Sequence, residues 1–138
     1  MRARVRDYMT SEVETLAPEN TLMEALRLEM QLRIRHIPVV DKGELVGILT
    51  DRDLKRATPS VLSDGDRADQ NRVMTQTKVG QIMTRSPQVI EPDAPLYDAV
   101  ETMANKKYGA LPVVDGGKLA GIITETDLLR AFLSVLEK

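Results

Sequence analysis

Most of what this chain can become is constrained by one feature: it is written twice. A shift of 74 positions lays residues 5–57 on residues 79–131 without a gap. Met9-Thr10 returns as Met83-Thr84, Pro18 as Pro92, Leu22 as Leu96 and Ala25 as Ala99. Pro38-Val39-Val40-Asp41 returns as Pro112-Val113-Val114-Asp115. Gly43, Leu45, Gly47, Ile48, Thr50, Asp53, Leu54, Arg56 and Ala57 return as Gly117, Leu119, Gly121, Ile122, Thr124, Asp127, Leu128, Arg130 and Ala131. A duplicated chain of 138 residues builds one half-fold twice and needs both halves to complete a core.

Each copy reads as strand, helix, strand, strand, helix. In the first, Val13–Leu16 is the short opening strand. Thr21-Leu22-Met23-Glu24 has the Ser/Thr-x-x-Glu form of a capping box and opens a helix to about Leu32. In the second, Asp93-Ala94-Pro95 makes the same start, with Pro95 near the first helical position, where its missing N–H does no harm. The stripe Leu96, Ala99, Val100, Met103 follows at helical spacing. His36–Val40 and Leu45–Leu49 are β-branched, apolar runs joined by Asp41-Lys42-Gly43-Glu44, a hairpin pattern repeated in Leu111–Val114, Asp115-Gly116-Gly117-Lys118 and Leu119–Ile123.

The expected fold class is therefore α+β, with tandem βαββα repeats packed about a pseudo-two-fold axis, because so small a sheet cannot close a core alone. Residues 1–57 form repeat 1 and residues 79–138 form repeat 2 with the C-terminal helix. Residues 58–78 connect them: Pro59, Ser60, Ser63, Asp64, Gly65 and Asp66 break regular structure, and the stretch from Val73 can be helical. The last helix, Glu125 to Leu136, is apolar at Leu128, Leu129, Ala131, Phe132, Leu133, Val135 and Leu136, more than one stripe, an excess that faces a partner.

Composition narrows function. With no cysteine there is no disulfide framework, thiolate metal site or thiol nucleophile, which points to a cytoplasmic protein. No apolar region follows the basic residues Arg2, Arg4 and Arg6, and no run approaches eighteen apolar residues, so neither secretion nor a membrane span is expected. A net charge of −2 and 3% aromatic residues argue against nucleic acid as a partner. One histidine, no Gly-x-Ser-x-Gly, no Walker loop and no metal-spaced cluster argue against an enzyme.

The duplicated Pro-Val-Val-Asp strands, followed by Gly47-Ile48-Leu49-Thr50-Asp51-Arg52-Asp53 and Gly121-Ile122-Ile123-Thr124-Glu125-Thr126-Asp127, resemble the cystathionine-β-synthase-type (CBS) domain pattern. Paired CBS domains form Bateman modules. More narrowly, Arg35-His36-Ile37-Pro38-Val39-Val40-Asp41, Thr50-Asp51-Arg52-Asp53 and Ala57-Thr58-Pro59-Ser60 resemble the CBS portion of bacterial acetoin-utilisation regulatory proteins. The resemblance implies a regulatory adenosine ligand, AMP, ADP, ATP or S-adenosylmethionine, and no required cofactor or metal. It implies that Thr50, Arg52 and Asp53 face Thr84, Val89, Ala110 and Leu111, and that Thr124 and Asp127 face Thr10, Val13, Arg35, His36 and Ile37. The apolar members would sandwich the adenine.

The residue types suit that chemistry. A carboxylate at the end of the third strand can accept two hydrogen bonds from a ribose diol, and a threonine hydroxyl can reach a ribose or phosphate oxygen. The same Thr-x-x-Asp is also a helix cap, with Thr50 as N-cap and Asp53 three residues on, and the two roles are compatible. Arg52 in a first helical turn opposes the helix dipole, a conflict an anion would remove; a surface pair with Asp51 or Asp7 is the plain alternative. Thr126 stands in its place in repeat 2, but that site would borrow Arg35 and His36, so the two clefts differ in preference. A lone histidine cannot assemble a metal site, and the methionines read as core filler. Two functions follow: a homodimeric sensor that passes ligand binding to an unidentified regulated protein, or a ligand-independent interaction and dimerisation module.

Overall fold

The computed structural model describes residues 2–59 and 67–137. In chain order its elements are α1 (Val5–Tyr8), α2 (Leu22–Leu32), β1 (His36–Asp41), β2 (Glu44–Thr50), α3 (Asp51–Ala57), α4 (Arg67–Gln76), α5 (Val79–Ile82), β3 (Thr84–Arg85), α6 (Leu96–Lys106), β4 (Ala110–Asp115), β5 (Lys118–Thr124) and α7 (Glu125–Leu136). They group into two compact units. The first holds residues 14–59 and 67–86, and the second holds residues 2–13 and 87–137. Each unit thus carries the body of one repeat and a short arm that, in the alignment of repeats, opens the other. Ser60, Ser63, Asp64, Gly65 and Asp66, read above as breakers, lie outside the described residues.

In the first unit Thr21 opens α2 with the capping box its sequence announces. Its Oγ1 accepts from the Glu24 N–H at 3.2 Å while its own N–H donates to Glu24 Oε1 at 2.9 Å. That Thr21 N–H, and after it the Thr21 hydroxyl donating to the same Oε1 at 3.1 Å, hold the Glu24 carboxyl below the ordinary carboxylate range. β1 and β2 pair antiparallel from His36 opposite Thr50 to Asp41 opposite Glu44. Lys42 and Gly43, with φ of 53° and 85°, make a two-residue turn whose twist suits the strands. β3 adds to β2, with Thr84 opposite Ile48. Leu16, Leu22, Ala25, Ile37, Val39, Leu49, Leu54 and Val79 form the core. α4 lies along α2 and sets Met74 against that core. It is helical from Arg67 onward among the described residues, ahead of the expected Val73; it buries no residue completely, so no apolar stripe in the sequence marks its first turns.

The second unit repeats the plan. β4 and β5 pair from Ala110 opposite Thr124 to Asp115 opposite Lys118, around Gly116 and Gly117. Pro95 takes the N-cap of α6, one place before the helix. Val5, Leu96, Ala99, Met103, Leu111, Val113, Ile123 and Ala131 form this core.

The opening strand expected at Val13–Leu16 shrinks to a single bridge, Leu16 parallel to Val39. Leu16 donates to the Pro38 carbonyl and accepts from Val40, but the next residue in register to donate to that strand is Pro18, which has no N–H, and the chain turns there with the Ala17 N–H donating to Asn20 Oδ1 at 2.7 Å. Ile90 and Val113 form the matching bridge in the second unit.

Candidate functional site

β2 ends at Thr50 and β5 at Thr124, and each threonine is the N-cap of the helix that follows. Thr50 Oγ1 accepts from the Asp53 N–H at 3.1 Å, and Asp53 Oδ2 accepts from the Thr50 N–H at 3.0 Å. The Thr124–Asp127 pair has the same two bonds at 3.3 and 2.9 Å. A surface capping box needs nothing more, yet these carboxylates are buried, with exposures of 6% for Asp53 and 3% for Asp127. Burying a charge is costly unless its oxygens find donors.

An arm supplies one donor in each unit. Thr84 Oγ1 donates to Asp53, 3.2 Å from Oδ2 and 3.4 Å from Oδ1. Thr10 Oγ1 donates to Asp127, 3.2 Å from Oδ1 and 3.5 Å from Oδ2. The arms come this close because the strand beside them carries glycine. A Cβ on Gly47 would stand 2.6 Å from Met83 Sδ, and one on Gly121 would stand 2.5 Å from the Thr10 carbonyl oxygen. Arg56 Nη2 adds a donor to Asp53 Oδ1 at 3.2 Å, and Arg130 Nη1 stands 3.8 Å from Asp127 Oδ1.

The first unit gathers Thr50, Arg52, Asp53 and Thr84, and with them Arg35, His36 and Ile37. The Arg35 carbonyl accepts from Asp51 N–H at 2.9 Å, His36 stands opposite Thr50, and Ile37 is buried. Arg52 is exposed and makes no ion pair among the described residues; Asp7 instead accepts from the Arg4 N–H. The second unit contains Thr10, Val13, Val89, Ala110, Leu111, Thr124 and Asp127, and brings Thr10, Thr124 and Asp127 into direct contact. Ala110 stands opposite Thr124, Leu111 is buried and Val89 is exposed.

Arg56 and Arg130 escaped the reading of the sequence as site residues. The available signal was their identical place in both repeats, one helical turn beyond each acid. Close by, burial pushes the Glu29 carboxyl above the ordinary range, Asp51 adds to the shift and Lys55 opposes it. Its Oε2 is buried with no hydrogen-bond partner among the described residues. No cluster of His, Cys, Asp or Glu among the described residues could hold a metal ion, and no described helix is long and apolar enough to cross a membrane.

The second unit also has an open apolar groove of about 650 Å³ between α6 and α7, lined by Val100, Tyr108, Leu128, Leu129, Phe132 and Val135 among others. Leu129 is 64% exposed and Phe132 55%.

Residues 5–60 and 79–134 each match the CBS domain. The chain belongs to the CBS domain family. Among solved CBS structures, a Vibrio cholerae protein assigned to acetoin utilization (AcuB) is 32% identical, with a TM-score of 0.83 over 99% of this chain and 95% of that one. That agrees with the narrower resemblance carried by Arg35–Asp41 and Thr50–Asp53. CBSX2 of Arabidopsis thaliana, solved in complex with AMP, is 32% identical, with a TM-score of 0.80 over 96% of this chain and 97% of that one. The CBS domain pair of protein MJ0100, solved with 5′-methylthioadenosine and S-adenosyl-L-methionine, is 28% identical, with a TM-score of 0.79 over 97% of this chain and 98% of that one.

Proposed function

We propose that this CBS pair is a non-catalytic regulatory module that binds an adenosine-containing ligand, AMP, ADP, ATP or S-adenosylmethionine, and modulates a partner protein. The observation that carries the reading is the duplicated buried carboxylate. Asp53 and Asp127 occupy equal places in the two repeats, each under a threonine hydroxyl from an arm. Helix capping alone does not require that burial. Complexes of CBSX2 with AMP and of the MJ0100 pair with methylthioadenosine and S-adenosylmethionine support the ligand class. In this reading Asp53 and Asp127 take ribose hydroxyls, while Thr50, Thr84, Thr124 and Thr10 assist. Arg52, Arg35 and His36 serve phosphate, and Val13, Ile37, Val89, Ala110 and Leu111 serve the adenine. The protein works in the cytoplasm as a homodimer built on the exposed face of α7.

The test is a thermal-shift series with each of the four ligands on the wild type, Asp53→Ala and Asp127→Ala. A ligand at one hundred times its dissociation constant adds roughly 2.7 kcal/mol, a rise of several degrees in Tm. The response should weaken in at least one variant. A wild type that ignores all four ligands while remaining dimeric would favour the second reading, a ligand-independent dimerisation module, for which the open α6–α7 groove speaks.

A further inference from the structure

The hydrogen bonds at the two carboxylates are distributed differently, and the difference assigns roles. An ionised carboxylate offers about four lone-pair directions, two per oxygen. Asp53 Oδ2 accepts from the Thr50 N–H and from Thr84, while Oδ1 accepts from Arg56 and, at longer range, from the same Thr84 hydroxyl. The Thr50 N–H is fixed backbone. The Thr84 hydroxyl rotates freely about its bond and can turn away. Once it does, each oxygen keeps one anchor and offers one free direction, which is what a cis-diol requires. The anchor on Oδ1 is then Arg56 alone. Its guanidinium is 72% exposed on the side chain, so its place beside a carboxylate only 6% exposed is not dictated by packing.

Asp127 is arranged otherwise. Its Oδ2 already accepts from the Thr124 N–H and the Thr124 hydroxyl, at 2.9 and 3.1 Å, besides Thr10 at 3.5 Å. Its Oδ1 is held by Thr10 at 3.2 Å, with Arg130 at 3.8 Å, outside hydrogen-bond reach. A diol there must displace Thr10 and also disturb Thr124.

Resting on the adenosine reading above, we propose that Arg56 is a positioning residue that presents Asp53 to the ribose diol, so that the Asp53 site is preassembled and takes nucleoside more tightly than the Asp127 site, where Arg130 contributes less. Arg56 touches the carboxylate, not the ligand, and acts by fixing which lone pairs face it.

Titration calorimetry with AMP and with 2′,3′-dideoxy-AMP reads the diol alone. Arg56→Met and Arg56→Lys are measured in an Asp127→Ala background, and Arg130→Met in an Asp53→Ala background, so that each titration reports one site. Losing one charge-assisted hydrogen bond to the acid should cost Arg56→Met about tenfold in AMP affinity. Binding of the dideoxy analogue should hardly change, so the preference for the diol collapses. Arg56→Lys should recover part of that preference, and Arg130→Met should lose clearly less than Arg56→Met. If Arg56→Met keeps the full preference, or Arg130→Met loses as much, the positioning role is overturned while adenosine binding stands. If the parent protein binds neither nucleotide, or both equally, the diol reading falls and this role falls with it.

Discussion

An aspartate three residues into a helix can satisfy the N–H of the residue before it, or it can hold lone pairs ready for a ligand. Asp53 and Asp127 do the first while buried, and in the function proposed above they do the second as well. Replacing Thr50 with valine keeps the shape and removes the cap hydroxyl, so it should lower unfolding free energy by about 1 kcal/mol in a urea titration. Glu29 gives a pH signature of known sign. Its carboxyl is raised above its usual 4.5, chiefly by burial, so folding favours the protonated form over the ionised one. The stability it contributes is complete below that usual value and is lost as pH rises through the raised one. Glu29→Gln should therefore be more stable than wild type at neutral pH, with the advantage vanishing toward pH 4.5. An advantage that grew on acidification would refute the assignment. At this scale Thr50 and Asp53 were legible because Thr-x-x-Asp is a local pattern. The ion pair of Arg56 was not, since it depends on how deeply the acid is buried.

Helices and hairpins follow the sequence closely, because capping boxes, Gly-containing turns and β-branched runs are local signals. Two backbone choices carry testable cost. Arg33 closes α2 in the left-handed region at φ 55°, a conformation that favours glycine. Arg33→Gly should raise unfolding free energy by about 0.5–1 kcal/mol, read as a higher urea midpoint at constant slope. Gly47→Ala forces a methyl against Met83 and the Thr84 backbone. It should cost about 1–3 kcal/mol and blunt the AMP-induced rise in Tm, because the arm that brings Thr84 to Asp53 is pushed off its strand. Unchanged stability in that variant would show that the arm yields without loss. The misread opening strand belongs to this scale too: Val13–Leu16 has strand composition, but pairing stops at Pro18, which has no N–H to continue it.

For the whole molecule the exposed face of α7 makes a direct forecast. Phe132 is 55% exposed and stands on the open groove, so Phe132→Glu should leave the monomer's Tm almost unchanged and shift sedimentation equilibrium toward monomer. A dimer that persists unaltered would move the interface elsewhere.

By itself the sequence determined the duplication, the order of elements within each copy, the hairpins, the caps and the two acids, all of which are set by residues near one another along the chain. Which arm joins which body, implied for Thr84 and Thr10 by the family resemblance alone, is decided physically only by the tertiary structure. α1 and α5 stand at equivalent places in the two copies, so no local pattern distinguishes their docking partners. Packing assigns residues 2–13 to the body of the second repeat and residues 79–86 to that of the first. The burial of Asp53 and Asp127 under Thr84 and Thr10 is settled the same way, by contacts between residues far apart in sequence, which periodicity and propensity do not encode.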